Sequence, residues 1–349
     1  MIKLPNCKPQ QRNFSSNSGG GVTMKFSLLG VGSPLVDLSV QVSDGFLAGH
    51  VPGKKGGTLN ITDAERADLL SLLGNQYLTV AGGAAANTIM AAAELGLNTT
   101  LLGKVGNDRE AEIFRQALLD SGASTSGLLT DSTAATGYCL ALVTPDAERT
   151  MRSNLGASLH VTPADAEKFD FSAFDWVLLE GYFIGTEFFD AVLDQAIGAG
   201  CKIALDLCSF ELAEKFRDKF LRVIKKIDLL FANFEEASAL TGVAELESLT
   251  AALGNFPGMT ALKLGAAGSM VITNNALIKV PAAKTDRVVD TTAAGDYYAA
   301  GFFYGLAHDF TPEKCAVAAA LTSAEIVRHH GTKLTENIWH NLITAMEKI

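Results

Sequence analysis

From Lys25 onward the chain alternates short apolar runs with longer stretches in which apolar residues recur every three or four positions. The runs Phe26 to Val31, Thr100 to Val105, Trp176 to Leu179, Lys202 to Asp206, Leu229 to Ala232 and Ala261 to Leu264 show almost no polar alternation, as expected of strands buried on both faces. Between them, patterns such as Asn87 to Leu95 and Glu110 to Ser121 read as helices. Strands and helices taking turns in this way predict an α/β fold: a doubly wound, mostly parallel sheet flanked by helices. Local signals agree. Thr62 and Glu65 have capping-box spacing, and Thr162-Pro163 puts a proline just inside a helix.

Two stretches depart from this rhythm. Leu35 to Val42 and Thr136 to Met151 alternate apolar and polar residues as half-exposed strands do, and the second contains the turn Pro145-Asp146-Ala147. They predict a small β-sheet lid, drawn from residues 33–60 and 134–155 and inserted in one domain over 24–349. Residues 1–23 stand apart, with a Gly19-Gly20-Gly21 run and no acidic residue. They read as a disordered leader, an appended segment or a misassigned start; a transit peptide is the alternative, weakened by the single arginine, Arg12. No repeat of solenoid or propeller period is present.

Composition narrows the function classes. A chain of 349 residues that is 48% hydrophobic and 19% charged can bury a sizeable core. The net charge of −10 provides no positive field for a nucleic acid backbone. No uninterrupted apolar run has the length of a membrane span. The five cysteines (Cys7, Cys139, Cys201, Cys208, Cys315) are scattered and form no C-x-x-C pair, which suits reduced thiols in a cytoplasmic protein.

Two nucleotide fingerprints are absent: there is no G-x-x-x-x-G-K-[ST], and Gly30-Val-Gly32-Ser-Pro-Leu35 lacks a third glycine. The most informative segment is Asp290-Thr-Thr-Ala293-Ala294-Gly295-Asp296, where small residues lead into a helix. The N–H groups of Ala293, Ala294 and Gly295 in the first turn are expected to form an anion hole for developing phosphoryl charge. A carboxylate at the same turn, Asp296, can accept a proton from a hydroxyl. Alone, either aspartate would read as a helix cap.

The segment closely resembles the D-T-[TN]-G-A-G-D signature of the PfkB/ribokinase family of carbohydrate and nucleoside kinases. The resemblance implies a ribokinase-like fold and makes Asp296 the catalytic base, with Ala293 standing where the family has glycine. If that position needs φ above zero, alanine costs about 1–2 kcal/mol. Further matches run along the chain from Met24. Ala81-Gly82-Gly83-Ala-Ala-Ala-Asn87 looks like the family's Gly-Gly and Asn element, which implies that Gly82, Gly83 and Asn87 bind substrate. Gly32-Ser-Pro-Leu-Val-Asp37 is similar to the stretch whose aspartate grips sugar hydroxyls, so Asp37 is the expected anchor. Asn233-Phe-Glu-Glu236 resembles the N-x-x-E motif that organises Mg²⁺ through water. Leu264-Gly265-Ala-Ala-Gly268-Ser269 resembles the turn that seats ATP, with Lys263 in place of the usual threonine.

Within the family, the opening through Asp37, the lid residues Glu148-Arg149-Thr150-Met151 and the pair Tyr182-Phe183 look most like the adenosine-kinase branch. Arg149 is then expected to reach the transferred phosphate and Phe183 to stack on a purine. The implied activity is ATP-dependent phosphorylation of a primary hydroxyl on an adenosine-like nucleoside or a sugar. The alternatives are a free-sugar kinase for ribose, fructose or a ketose phosphate, and a catalytically weak ligand-binding relative. K⁺ near residues 286–288 and Gly331, and a monomer or homodimer, follow by the same analogy. His329 and His330, at a helix end before Gly331, read as capping residues.

Overall fold

The computed structural model describes residues 26–349 except 75–76 and 147–148, so the leader, Cys7 and Glu148 lie outside the described residues. Fourteen strands are described: β1 (Ser27–Val31), β2 (Leu35–Gln41), β3 (Thr58–Asn60), β4 (Leu78–Gly82), β5 (Asn98–Val105), β6 (Leu128–Thr130), β7 (Thr136–Val143), β8 (Arg149–Gly156), β9 (Trp176–Glu180), β10 (Lys202–Asp206), β11 (Leu229–Asn233), β12 (Met259–Lys263), β13 (Ser269–Ile272) and β14 (Leu277–Val280).

Nine of them form one sheet in the order β14-β13-β12-β11-β10-β9-β1-β5-β6. Every pairing from β12 to β6 is parallel, and β13 and β14 close one edge antiparallel. Helices cover both faces because successive strand residues point to opposite sides. In β11, Leu229 and Phe231 join a core with Phe302, Phe303 and Ile89 on one face. Leu230 and Ala232 join another with Phe188, Phe220 and Leu240 on the other face. The unbroken apolar runs thus serve two cores at once. The run read as Ala261 to Leu264 ends one residue earlier, at Lys263, because Leu264 already enters the turn to β13.

The remaining five strands form a second sheet, β3-β8-β7-β2-β4. Its inward positions, Val36, Leu38, Val40, Tyr138, Leu140 and Leu142, pack with Ile61 and Leu69 into a third, separate core. The stretches with alternating polarity fall here, and β7 and β8 form the expected hairpin. The sheet also draws on β4, beyond the two segments singled out above, and β2 pairs parallel with β7 but antiparallel with β4. The Thr62–Glu65 capping box and Pro163 at a helix start both occur. Among the described residues no helix is long and apolar enough to cross a membrane, and the four described cysteines are free thiols.

Candidate active site

The direction of winding reverses at β1, with β5 on one side and β9 on the other. In open α/β sheets a ligand crevice forms outside the carboxyl ends of the strands at such a point. Here those ends carry Glu180 (β9), Asp206 (β10), Asn233 (β11) and Lys263 (β12). The helix Ala294–Ala307 begins over the same region, since its Asp296 interacts electrostatically with Asp206, Lys263 and Glu180.

The loop into that helix is organised by Asp290. One carboxylate oxygen accepts from the N–H and hydroxyl of Thr292 at 2.9 and 2.6 Å, and the other accepts from the Gly331 N–H at 3.2 Å. Burial works against the charge of Asp290, but these bonds and Arg149 hold its carboxyl below the usual range. Ala293, the helix N-cap, sits at φ 59°, ψ 8°, the left-handed conformation in which glycine carries no Cβ penalty. Restoring glycine, Ala293→Gly, is therefore expected to raise stability by about 1 kcal/mol. Urea unfolding of the two proteins checks this, and an unchanged or lower midpoint contradicts it.

The anion hole differs from expectation in one member. The Ala294 N–H is engaged by the Thr291 carbonyl at 3.3 Å, closing a turn. Among the described residues no hydrogen bond engages the N–H of Ala293 or Gly295, which leaves those two open to an anion.

Asp296 lies in the first turn, partly covered, and accepts from Asn87 Nδ2 at 2.8 Å. Thr88 donates to the Asp296 carbonyl, fixing the two helices together at this point. Burial pushes the Asp296 carboxyl up to about 7; the Asn87 bond and Lys263 oppose the shift, while Asp206 and Glu180 add to it. Asn87, expected to bind substrate, here holds the candidate base, and its buried Oδ1 has no hydrogen-bond partner among the described residues.

Asp37 projects from β2 opposite Val80 of β4. Burial pushes its carboxyl up to about 6, with Arg149 opposing and Asp290 adding to the shift. Gly82 leaves room for this carboxylate: a Cβ there would lie 2.3 Å from Asp37 Oδ2 and would push the side chain aside. Gly83 has φ 104°, and a Cβ would meet the Ser33 carbonyl oxygen at 2.1 Å. Arg149, from β8, pairs with Asp290 at 3.2 Å and donates to the Thr292 hydroxyl. A single side chain thus ties the second sheet to the anion-hole loop.

Asn233 and Glu236 bond each other: Glu236 accepts from the Asn233 N–H and Asn233 from the Glu236 N–H, both at 2.8 Å. This capping box fixes Glu236, which is buried beside Asp206 and Lys263; burial and Asp206 push its carboxyl up to about 7. Among the described residues no three His, Cys, Asp or Glu side chains converge as direct metal ligands. Hard carboxylate oxygens at this spot fit Mg²⁺ held through water, the coordination that ion favours. Gly265 and Gly268 adopt φ 59° and 92° in the turn between β12 and β13, and a Cβ on Gly268 would lie 2.2 Å from the Val280 carbonyl oxygen.

Phe183 is corrected by the structure. It is 2% exposed and packs edge-to-face on Phe188 in the core, whereas its neighbour Tyr182 is 47% exposed. Within the short turn Gly181–Phe183 the Phe183 ring is buried and the Tyr182 ring is the exposed one, so Phe183 is not available to stack on a ligand. His329, just beyond the helix Pro312–Ile326, lies 3.0 Å from Glu325 in its last turn. Sequence reasoning missed Glu180, Asp206 and the placement of Lys263. Glu180, 2% exposed, accepts from the N–H groups of Ser33 and Ala85. Burial pushes it up to about 7 against those bonds. The cavity of about 500 Å³ between the helices Ala84–Glu94 and Arg109–Ser121 lies beside this region and is lined in part by Asn87 and Tyr297.

A carboxylate and open backbone donors meet at one helix start, over the carboxyl edge of the parallel sheet. The chain belongs to the pfkB family carbohydrate kinases, whose profile matches residues 57–339. Adenosine kinase 2 of Arabidopsis thaliana is 24% identical over 338 residues, covering 88% of this chain and 96% of that protein. A nucleoside kinase of Methanocaldococcus jannaschii is 27% identical over 76% of this chain and 85% of its own. The crystal structure of adenosine kinase from Sinorhizobium meliloti superposes with a TM-score of 0.81 at 27% identity, covering 93% of this chain and 99% of that one. The protein is a nucleoside or sugar kinase of ribokinase-like fold, transferring phosphate to a hydroxyl group.

Proposed function

We propose that the enzyme transfers the terminal phosphoryl group of ATP to a primary hydroxyl of an adenosine-like nucleoside. The observation that carries this reading is Asp296, held by Asn87 in the helix turn that also presents the N–H groups of Ala293 and Gly295. The carboxylate accepts the hydroxyl proton as the oxygen attacks, while the backbone donors stabilise charge on the transferring group. Asp37, an acceptor-only group when ionised, holds sugar hydroxyls, with Gly82 and Gly83 allowing close approach. The second sheet acts as a lid that excludes water, drawn to the phosphate site by Arg149. The turn at Gly265 and Gly268 seats the nucleotide. Glu236, beside Asn233, would hold Mg²⁺ through water, and the ion would supply positive charge beside the nucleotide phosphates. The free thiols Cys139, Cys201, Cys208 and Cys315 suit an enzyme of the cytoplasm.

The relatives named as adenosine and nucleoside kinases support the nucleoside reading. Burial of Phe183, the ring expected to stack on a purine, favours a second one, a free-sugar acceptor. ADP release with ATP and Mg²⁺ across adenosine, other nucleosides, ribose, fructose and fructose phosphates decides between them. Adenosine is expected to give the highest kcat/KM. Turnover confined to free sugars would transfer the assignment to the second reading, and none on any acceptor would overturn both.

A further inference from the structure

Glu180 ends β9 beneath two of the places where the chain passes between the sheets, and it is 2% exposed. One passage runs from β1 to β2 through Gly32 and Ser33; the other runs from β4 through Gly83 into the helix Ala84–Glu94. The carboxylate reaches up between them. It accepts from the Ser33 N–H at 3.3 Å and from the Ala85 N–H at 3.1 Å, and Gly32 gives it room, since a Cβ there would lie 2.4 Å from Oε2. Among the described residues no cation forms an ion pair with it, so backbone N–H groups offset the cost of burying a carboxylate. One of those donors belongs to a helix start that lacks a local cap: Ala85 is the second helical residue, and the N-cap, Gly83, supplies no side-chain acceptor. Glu180 takes that role from 95 positions further along the chain, and its charge also suits the helix dipole. The helix it caps carries Asn87, which holds Asp296 at 2.8 Å. The strand that follows Ser33 carries Asp37.

We propose that Glu180 is a positioning residue of the kinase: by capping the helix Ala84–Glu94 and holding Ser33 on one carboxylate, it fixes the acceptor anchor Asp37 relative to the base Asp296. This rests on the kinase reading, and the group that sets the geometry is itself too deeply buried to touch acceptor or nucleotide. A misplacement of about 1 Å between the acceptor hydroxyl and the base is enough to cost about 10²-fold in rate. A carboxylate suits the task because both of its oxygens only accept, whereas an amide of the same size would turn a donor toward one of the N–H groups.

The test compares the wild type with Glu180→Gln, Glu180→Asp, Asn87→Ala and the double variant carrying Glu180→Gln and Asn87→Ala, by steady-state ADP release on the preferred acceptor with ATP and Mg²⁺. Glu180→Gln is expected to lower kcat/KM for the acceptor by about 10²-fold while KM for ATP stays within about threefold of wild type. A purely structural carboxylate would instead weaken both substrates alike. Because the effect on the base runs through the helix that carries Asn87, adding Glu180→Gln to Asn87→Ala should lower kcat by no more than about threefold further. Glu180→Asp keeps both acceptor oxygens on a shorter stem and should recover part of the loss; it carries the comparison if the amide variant does not fold. With an active wild type, an unchanged kcat/KM for the acceptor, equal losses for acceptor and ATP, or fully additive losses in the double variant would each overturn the assignment. A wild type that phosphorylates no acceptor would overturn the kinase reading first, and the role of Glu180 with it.

Discussion

Asp296→Asn is expected to lower kcat by about 10³-fold with little change in ATP binding, because the amide keeps the size of the carboxylate but cannot accept the hydroxyl proton. The Asn87 bond at 2.8 Å can be kept by rotating one amide, so the helix turn and its N–H groups stay in place. The wild-type pH profile should show the same group. With the carboxyl pushed up to about 7, mostly by burial, the base is protonated and idle in acid. The rate therefore climbs as pH rises through neutrality and levels off above it. In Asp296→Asn that rise should vanish. Steady-state ADP release on the preferred acceptor between acid and alkaline pH measures both effects; a variant within about tenfold of wild type, or one keeping the rise, would remove Asp296 from the chemistry.

Gly83→Ala carries the largest expected loss of stability, at least about 3 kcal/mol. Two penalties coincide there. The backbone is at φ 104°, and the new methyl would sit 2.1 Å from the Ser33 carbonyl oxygen, a backbone atom that cannot swing aside. Gly200, at φ 81° with nothing within 4 Å of where a methyl would sit, isolates the first penalty: Gly200→Ala should cost only about 1 kcal/mol. Urea midpoints for the two variants against wild type give the comparison, and similar small losses would show that the chain relaxes at Ser33. Because Ser33 and Ala85 both donate to Glu180, the Gly83→Ala strain falls on the junction through which the second sheet joins the first.

The doubly wound sheet was readable because parallel strands buried on both faces leave unbroken apolar runs, as in Leu229 to Ala232. The second sheet was readable at Leu35 to Val42, where alternation reflects one covered and one open face. Its strand β4 was not, since Leu78 to Gly82 reads as the run-up to a glycine turn. The Asp296 turn stood out because the proposed base and the backbone donors are neighbours in sequence. Lys263, Asp206 and Glu180 did not, because each merely closes an apolar strand and gains its meaning from strands brought together across long sequence separations. Phe183 misled for a local reason: a single 3₁₀ turn decides which of two adjacent aromatic rings faces inward.

The third core, assembled from Val36, Leu38, Tyr138, Leu140 and Leu142 with Ile61 and Leu69, shares none of its buried residues with the two cores of the main sheet. Asp37, the proposed acceptor anchor, is thereby carried on a cassette whose interior is packed independently of the main-sheet cores around Asp296. Such a cassette can drift, or be exchanged for that of a relative with a different acceptor, without repacking the framework under Asp296, provided that Arg149 and the Gly83–Ser33 junction are kept.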